Sequence, residues 1–97
     1  MITFAVTTTQ REAMIDITPQ LLNLASEHAE HARAMLVYTP HTTTGLTINE
    51  GADPDVCLDI LTHLRTLFPQ RADFRHAEGN SDAHLKASFF GSSVHLM

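Results

Sequence analysis

The strand-like segments of this sequence follow one another in pairs, and this pairing limits the fold more than any other feature. Residues 2–8 and 14–17 are rich in β-branched and aromatic side chains and lie on either side of a short polar cluster. Residues 35–39 and 46–48 repeat the pattern around a threonine-rich segment that contains Gly45. Strands that are close in sequence favour antiparallel pairing, because parallel strands need a long crossover between them. The sequence therefore predicts an α+β domain with an antiparallel sheet and packed helices.

Three helices are predicted between and after these strands, because apolar residues recur at helical spacing and each segment begins with a polar capping residue. The N-terminal signals are Thr18 with Pro19, Asp53 with Pro54, and Ser81 or Asp82. The first helix is predicted to cover residues 19–32, the second ends at Pro69, and the third runs through Phe90 to a C-terminal Gly91. With a last strand at residues 94–97, the predicted order is β-β-α-β-β-α-α-β.

The composition limits the partners and the location of the protein. A chain of 97 residues is enough for one core, so residues 1–97 are predicted to form a single domain. Six Lys and Arg residues against eleven Asp and Glu residues give a net charge of −5, which argues against nucleic-acid binding. The sequence has no long apolar run and no signal-like N-terminus, so we expect no membrane partner. Cys57 is the only cysteine, and a cytoplasmic location fits a chain that has no intrachain disulfide.

Seven histidines are the one unusual feature of the composition. His41, His76 and His84 lie on or beside two polar loops, each of which leads into a helix. Three imidazoles are the ligand set of an open zinc site that keeps a fourth position for water. Spacing is weak evidence here, because the sequence lacks a helical HExxH pair. Ordinary hydrogen-bonded or solvated histidines remain an equally open alternative.

The same two loops offer places for an anion. Helix N-termini present N–H groups without intrahelical partners, so a phosphate would bind near Pro54 or near Ala83. Lys86 would assist at the second of these positions.

Several ordered motifs carry a resemblance that runs over essentially the whole chain. They are HTTTGLTINE at residues 41–50, ADPDV at 52–56, HAEGN at 76–80, AHLKAS at 83–88 and GSS at 91–93. This set is similar to the motifs of the YjbQ-like family of uncharacterised small proteins, some of which are named secondary thiamine-phosphate synthase. The resemblance implies an α+β domain with an antiparallel sheet, a homotrimer, and a polar site around the histidines.

The resemblance also implies which residues form that site. They are His41, Asn49, Glu50, His76, Glu78 and His84. Asp53 lies in a matching motif too, but its local sequence explains it as a helix cap. The activity implied is the joining of a pyrimidine-methyl diphosphate to a thiazole phosphate with loss of diphosphate.

The sequence departs from the family pattern at its C-terminal end. Family members continue with a Gly-Thr-Trp-Gln type segment and a final hairpin, whereas this sequence ends at Met97 and contains no tryptophan. We therefore expect a YjbQ-like domain that lacks the C-terminal hairpin. Its sheet would expose an edge or cover that edge with a strand from a neighbouring copy.

Two functions follow from these expectations. The first is an enzyme-like protein that binds a phosphorylated small molecule, with thiamine-phosphate synthase-type transferase activity and a divalent metal, for which three histidines favour zinc. A diphosphate substrate would instead bring Mg²⁺, which prefers oxygen ligands. The histidine ligands and the synthase reaction therefore favour different metals. The alternative is a non-catalytic trimeric module that binds a metal or an anion at the same histidines.

Overall fold

Three helices and a two-stranded antiparallel sheet make up the regular structure of residues 1–71 and 73–97, the part of the chain that the computed structural model describes. In chain order the elements are α1 (Thr18–Glu27), β1 (Met35–Tyr38), α2 (Pro54–Leu67), α3 (Ser81–Phe90) and β2 (Ser93–Leu96). The predicted α+β class with an antiparallel sheet agrees with this architecture.

The sheet follows the period-two pattern of a half-buried ladder. β1 pairs with β2 from Met35 opposite Leu96 to Tyr38 opposite Ser93. On each strand, half-buried side chains alternate with exposed ones, as expected when one face packs against the rest of the domain. His95 is exposed on β2 between two half-buried residues, so the sequence places it correctly on the outer face.

The second helix begins and ends where the sequence predicts. Asp53 is the N-cap, and its side chain accepts a hydrogen bond of 2.9 Å from the backbone N–H of Asp55. Pro54 starts the helix, and the N–H of Phe68 closes it by donating to the carbonyl of Leu64 at 2.8 Å. The interpretation of Asp53 as a helix cap is therefore confirmed.

Few apolar side chains of the helices are buried. Within the described part of the chain, the buried apolar residues are Leu64 on α2 and Ala87 on α3. The rings of Phe68 and Phe89 meet at a centroid distance of 5.7 Å and join the end of α2 to α3. Because so little apolar surface is buried here, polar contacts have a larger share in fixing α3.

A cluster of charged side chains supplies those polar contacts; we call it the Asp82 cluster. Its members are Arg11, Glu12, Arg65, Asp82 and Lys86. The guanidinium of Arg11 donates two hydrogen bonds to the carboxylate of Asp82, at 2.9 and 2.8 Å. Lys86 donates to Asp82 at 3.0 Å and to Glu12 at 2.8 Å, and Arg65 donates to Glu12 at 3.2 Å. The cluster thus ties the N-terminal segment to both α2 and α3.

Asp82 has no solvent exposure, so its charge depends on these partners. Hydrogen bonds from Arg11 lower the pKa of Asp82 from its usual 3.8 to about 2, against the opposing effect of burial. A hydrogen bond from Lys86 likewise lowers the pKa of Glu12. Both carboxylates are therefore held in their charged forms at neutral pH.

Three of the predicted strands do not form. Residues 2–8, 14–17 and 46–48 adopt neither helix nor strand in the structure. A segment of strand-like composition forms a strand only when a neighbouring strand pairs with it. In the described residues the sheet consists of β1 and β2 alone. Side-chain ion pairs hold the N-terminal segment instead, and the observed order is therefore α-β-α-α-β.

Two helix boundaries also differ from the prediction. α1 ends at Glu27 and not at residue 32, because the carbonyl of His28 accepts from the N–H groups of His31 and Ala32 in a separate turn. The hydroxyl of Thr18 is not its cap; the carboxylate of Asp16 accepts from the N–H of Thr18 at 2.9 Å.

The third helix is capped at neither of the predicted residues. Asn80 occupies the N-cap position of α3, and its backbone carbonyl accepts from the N–H of Ala83 at 3.0 Å. Its side-chain Oδ1 is buried and has no hydrogen-bond partner among the described residues. Asp82, one of the predicted caps, lies inside the helix and serves the ionic cluster instead.

The substitution Asp82→Asn tests the Asp82 cluster. A depressed folded-state pKa contributes stability that is present above the unfolded value and is lost as pH falls through the folded value. We expect the variant to lose about 2 kcal/mol of unfolding free energy at pH 7. This difference should disappear as the pH falls from 3.8 to about 2, because the wild-type carboxyl then becomes neutral like the amide.

Urea denaturation at a series of pH values measures this difference. Asp73→Asn is the matched control, because Asp73 pairs with Arg71 while both side chains are more than half exposed. A difference between wild type and Asp82→Asn that stays constant from pH 7 to pH 2 would contradict the role given to the cluster.

Candidate functional site

A polar loop, residues 39–46, follows β1 and meets the C-terminal end of α3; we call it the threonine loop. The N–H of Thr39 donates to the carbonyl of Ser92 at 2.9 Å, and the N–H of Leu46 donates to the carbonyl of Gly91 at 3.0 Å. Both ends of the threonine loop are thus fixed to the turn that follows α3.

Gly45 brings the threonine loop into close contact with α3. A Cβ atom at this position would lie 2.7 Å from the Cβ of Phe90, which is closer than real side chains approach. Gly91, at the end of α3, has a φ of 92°, in the left-handed region that favours glycine. The two glycines therefore let the loop and the helix end approach each other.

A cavity of about 380 Å³ opens between the threonine loop and the C-terminal half of α3; we call it the hydroxyl cavity. Its hydroxyl-bearing and imidazole side chains are Tyr38, Thr39, His41, Thr42, Thr44, Ser88 and Ser92. The N–H of His41 donates to the hydroxyl oxygen of Thr39 at 3.3 Å. The cavity therefore offers hydroxyl donors and acceptors together with one imidazole.

A second cavity, of about 460 Å³, lies beside the N-terminal half of α3; we call it the ring cavity. It is lined by Phe74, His76, Ser81, His84, Leu85 and Ser88. The rings of His76 and His84 meet edge to face, with centroids 5.2 Å apart and planes at 90°. Nε2 of His76 lies 3.8 Å from a carboxylate oxygen of Glu78, so a carboxylate borders the imidazole pair.

The structure brings together three of the six residues that the resemblance implies. His76, Glu78 and His84 lie side by side, whereas His41 lines the hydroxyl cavity. Asn49 and Glu50 are exposed, and in the described part of the chain they line neither cavity.

Asn49 and Glu50 are joined to each other locally. The side-chain oxygen of Asn49 accepts from the N–H of Glu50 at 2.8 Å. Their assignment to the site stays a prediction.

The donor set does not form a three-histidine metal centre in this arrangement. Among residues 1–71 and 73–97, no group of three or more His, Cys, Asp or Glu side chains is placed to hold a metal ion. His76 and His84 are adjacent, but the third imidazole, from His41, borders the other cavity. The zinc site stays a prediction.

The phosphate-binding role predicted for Lys86 is wrong, because its ammonium group is engaged by two carboxylates. It binds Asp82 and Glu12, and its side chain is only 12% exposed. The positive charge nearest the start of α3 therefore belongs to the Asp82 cluster and not to the cavities.

Ser88 and Phe74 belong to the candidate site, although they were not predicted from the sequence. Ser88 lines both cavities, and its hydroxyl donates to the carbonyl of His84 at 2.9 Å. Helical spacing offered a signal for it, because residues four apart lie on one face of a helix and His84 was already a candidate. Phe74 lies in a loop, where no periodicity reveals a contact.

The comparisons with known proteins agree on one family. The model of the family described as UPF0047 protein YjbQ-like matches residues 2–97. The UPF0047 protein MJ1081 of Methanocaldococcus jannaschii is 46% identical over 90 residues, which are 93% of this chain and 65% of that protein. The UPF0047 protein YugU of Bacillus subtilis is 44% identical over 96 residues, which are 98% of this chain and 73% of that protein. The chain thus spans about two thirds to three quarters of the length of these relatives.

Solved structures give the same result for the fold. An uncharacterised conserved protein of the yjbq/upf0047 family from Clostridium acetobutylicum matches with a TM-score of 0.92 and 44% identity, over 98% of this chain and 74% of that chain. The hypothetical protein APE1520 of Aeropyrum pernix K1 matches with a TM-score of 0.86 and 30% identity, over 95% of this chain and 69% of that chain. The α+β class is confirmed.

None of the helices in the described residues is long and apolar enough to cross a membrane. The predicted cytoplasmic location and the single domain over residues 1–97 stay predictions.

The substitution Gly45→Ala tests the contact that shapes the hydroxyl cavity. The new methyl group would meet the Cβ of Phe90, which is fixed to the helix backbone, so the threonine loop must move. We expect a loss of about 1–3 kcal/mol of unfolding free energy, measured by urea denaturation.

Gly51→Ala is the matched control for this substitution. Its Cβ would meet only an oxygen of Asp16 at 3.8 Å, an ordinary contact distance. Equal stability of the two variants would show that the threonine loop is not packed tightly against α3.

Proposed function

This chain is a member of the YjbQ-like family, UPF0047, and we propose that it binds a phosphorylated small molecule beside the His76–His84 pair. The proposed activity is of the thiamine-phosphate synthase type, a transferase in the cytoplasm. The observation that carries the proposal is the edge-to-face contact of the two imidazoles, 5.2 Å apart, in the wall of a cavity. Imidazole is the side chain that most readily exchanges a proton near neutral pH, so a pair of them suits a phosphate ester.

The proposed reaction forms one bond and breaks one. The lone pair of a thiazole nitrogen attacks the methylene carbon of a pyrimidine-methyl diphosphate, and the carbon–oxygen bond to diphosphate breaks with its electrons on the oxygen. His84 and His76 would stabilise the departing negative charge by hydrogen bonds, and a protonated imidazole would do so by proton donation. Phe74 and Leu85 supply apolar surface in the same cavity for a ring.

Binding of a zinc ion by His41, His76 and His84 is a separate part of this proposal. His41 would have to approach the His76–His84 pair before three imidazoles could share one ion, and it lines the other cavity. Elemental analysis of protein purified without a histidine tag tests this, with the double variant His41→Ala, His84→Ala. The control is the double variant His28→Ala, His31→Ala, whose two histidines are exposed. Stoichiometric zinc that is lost only from the first variant supports the metal, and a metal-free wild-type protein overturns it.

The proposed assembly is a homotrimer. Several large apolar side chains are more than half exposed, which is costly unless another surface covers them. They include Leu36, Tyr38, Ile48 and Phe89. Sedimentation equilibrium tests the proposal, and a monomeric mass at micromolar concentration would contradict it.

One observation favours the second candidate function, a non-catalytic trimeric module that binds an anion or a metal. In the described residues, Asn49 and Glu50 lie outside both cavities, which leaves Glu78 as the carboxylate beside the histidines. The side chain of Glu78 is 75% exposed. Such a carboxylate is poorly placed as a buried base, and this favours binding without turnover.

The substitution His84→Ala separates the two functions. A transferase should lose kcat by roughly 100-fold or more, because a group that assists the leaving diphosphate is gone. The readout is the release of diphosphate from a pyrimidine-methyl diphosphate in the presence of thiazole phosphate. A binding module would show no turnover in either protein, and only its affinity for inorganic diphosphate would fall, as measured by titration calorimetry.

His63→Ala is the control for this experiment. His63 is exposed on α2 and lines neither of the two cavities formed by the described residues. A His84→Ala protein that keeps both its turnover and its affinity for diphosphate would contradict the proposed function in either form.

A further inference from the structure

We propose that the ring cavity is completed by a second copy of this chain, whose Glu50 accepts a hydrogen bond from the imidazole of His84. Glu50 of the partner subunit is then a positioning residue, which acts on the ligand through His84. The inference rests on the proposed function and deepens it, because it names the partner of the site and the residue that this partner contributes.

The first support is the exposure of the segment that carries Glu50. Ile48 is 65% exposed, Glu50 is exposed as well, and neither lines a cavity formed by the described residues of its own chain. The segment is fixed at both ends. The N–H of Leu46 donates to the carbonyl of Gly91, and Asp53 caps α2. The segment therefore presents an apolar and an acidic side chain away from its own subunit.

The second support is the match between this segment and the ring cavity. Residues 45–51 form no helix, turn or bend, so side chains two residues apart point in roughly the same direction, about 7 Å from each other. In the ring cavity, the apolar side chains of Phe74 and Leu85 lie in the same wall as two imidazoles. Ile48 of the partner subunit can therefore pack against the apolar side chains while Glu50 of the partner subunit reaches an imidazole.

The third support is the unequal surroundings of the two imidazoles. Nε2 of His76 lies 3.8 Å from a carboxylate oxygen of Glu78, whereas the described residues place no carboxylate as close to His84. A hydrogen bond from one ring nitrogen of His84 to Glu50 of the partner subunit fixes the orientation of the ring and leaves the other nitrogen to face the ligand. The carboxylate then lies behind the imidazole and not beside a bound phosphate.

The fourth support is charge complementarity. Three exposed carboxylates follow one another closely in this part of the chain, at Glu50, Asp53 and Asp55. On the side of the ring cavity, the exposed Arg75 lies between two lining residues in the sequence. Opposite charges on two surfaces fix the orientation in which they meet. Because these two surfaces are different, their contact closes into a ring of copies and not into a two-fold dimer, in agreement with the proposed homotrimer.

Mixed oligomers of two variants test which chain supplies Glu50. Glu50→Gln and His84→Ala should each bind inorganic diphosphate roughly 10-fold more weakly than the wild-type protein, because a hydrogen bond to a charged group is lost. The two variants are then co-expressed in equal amounts. If Glu50 acts across the interface, about one quarter of the sites combine an intact His84 with an intact Glu50 from the next chain. Titration calorimetry should count these sites by their wild-type affinity, and Glu30→Gln in place of Glu50→Gln is the control for the single variant.

Cross-linking tests the same contact without a ligand. In a Cys57→Ser background, Glu50→Cys and Ser81→Cys place one thiol in the exposed segment and one in the wall of the ring cavity. A short dimaleimide should join the chains into covalent dimers and trimers on a denaturing gel. The control replaces Glu50→Cys by Glu30→Cys, since Glu30 is an exposed glutamate in the turn after α1.

Three results would overturn the shared site. They are a Glu50→Gln protein with the wild-type affinity for diphosphate, a mixture without restored sites, and cross-linking through Glu50→Cys that does not exceed that of the control. If any of them occurs while the wild-type protein binds diphosphate and His84→Ala does not, the proposed function stands alone. If the wild-type protein binds no diphosphate, the proposed function fails, and cross-linking still decides whether Glu50 of the partner subunit lies at the cavity.

Discussion

The position of α3 depends on a carboxylate that has no solvent exposure. The charge of Asp82 would be costly to bury alone, but three charged neighbours stabilise it. Arg11 and Lys86 bind the carboxylate directly, and Glu12 balances the positive charge of Lys86. Apolar burial is limited to Leu64 and Ala87 in the described part of the chain. The ionic contacts therefore decide how the N-terminal segment, α2 and α3 are held together.

The same helix presents the candidate site on its other side. Asp82 and Lys86 are four residues apart and share one face, while His84 lies two residues from each and points roughly 200° away. One face of α3 is thus anchored by charge, and the opposite face is free to form the wall of both cavities. This division explains why Lys86, although near the start of α3, contacts Asp82 and Glu12 and lines neither cavity formed by the described residues: it belongs to the anchored face.

The polar groups of the two cavities carry hydrogen-bonding capacity with little fixed charge. Imidazoles and hydroxyls line them, and Arg11 and Lys86 are engaged in the Asp82 cluster. A phosphorylated ligand would therefore depend on hydrogen bonds from imidazole and hydroxyl groups, in a protein whose net charge is −5.

The sequence by itself determined the elements that depend on local interactions. The start of α2 at Asp53 and Pro54, the end of α3 at Gly91 and the outward face of His95 all follow from capping, backbone freedom and strand alternation. The motifs that suggested the YjbQ-like family also named His76, Glu78 and His84, which the structure brings together.

Only the tertiary structure decided the features that depend on distant partners. Residues 2–8 have strand-like composition but form no strand, because a strand needs a neighbouring ladder. Asp82 and Arg11 are 71 residues apart, and neither one's local sequence indicates the pairing. His41 lines the hydroxyl cavity and Ser88 lines both cavities because packing sets the positions of the loops, for example at the contact between Gly45 and Phe90. Such packing follows no period along the chain, so the sequence alone does not reveal it.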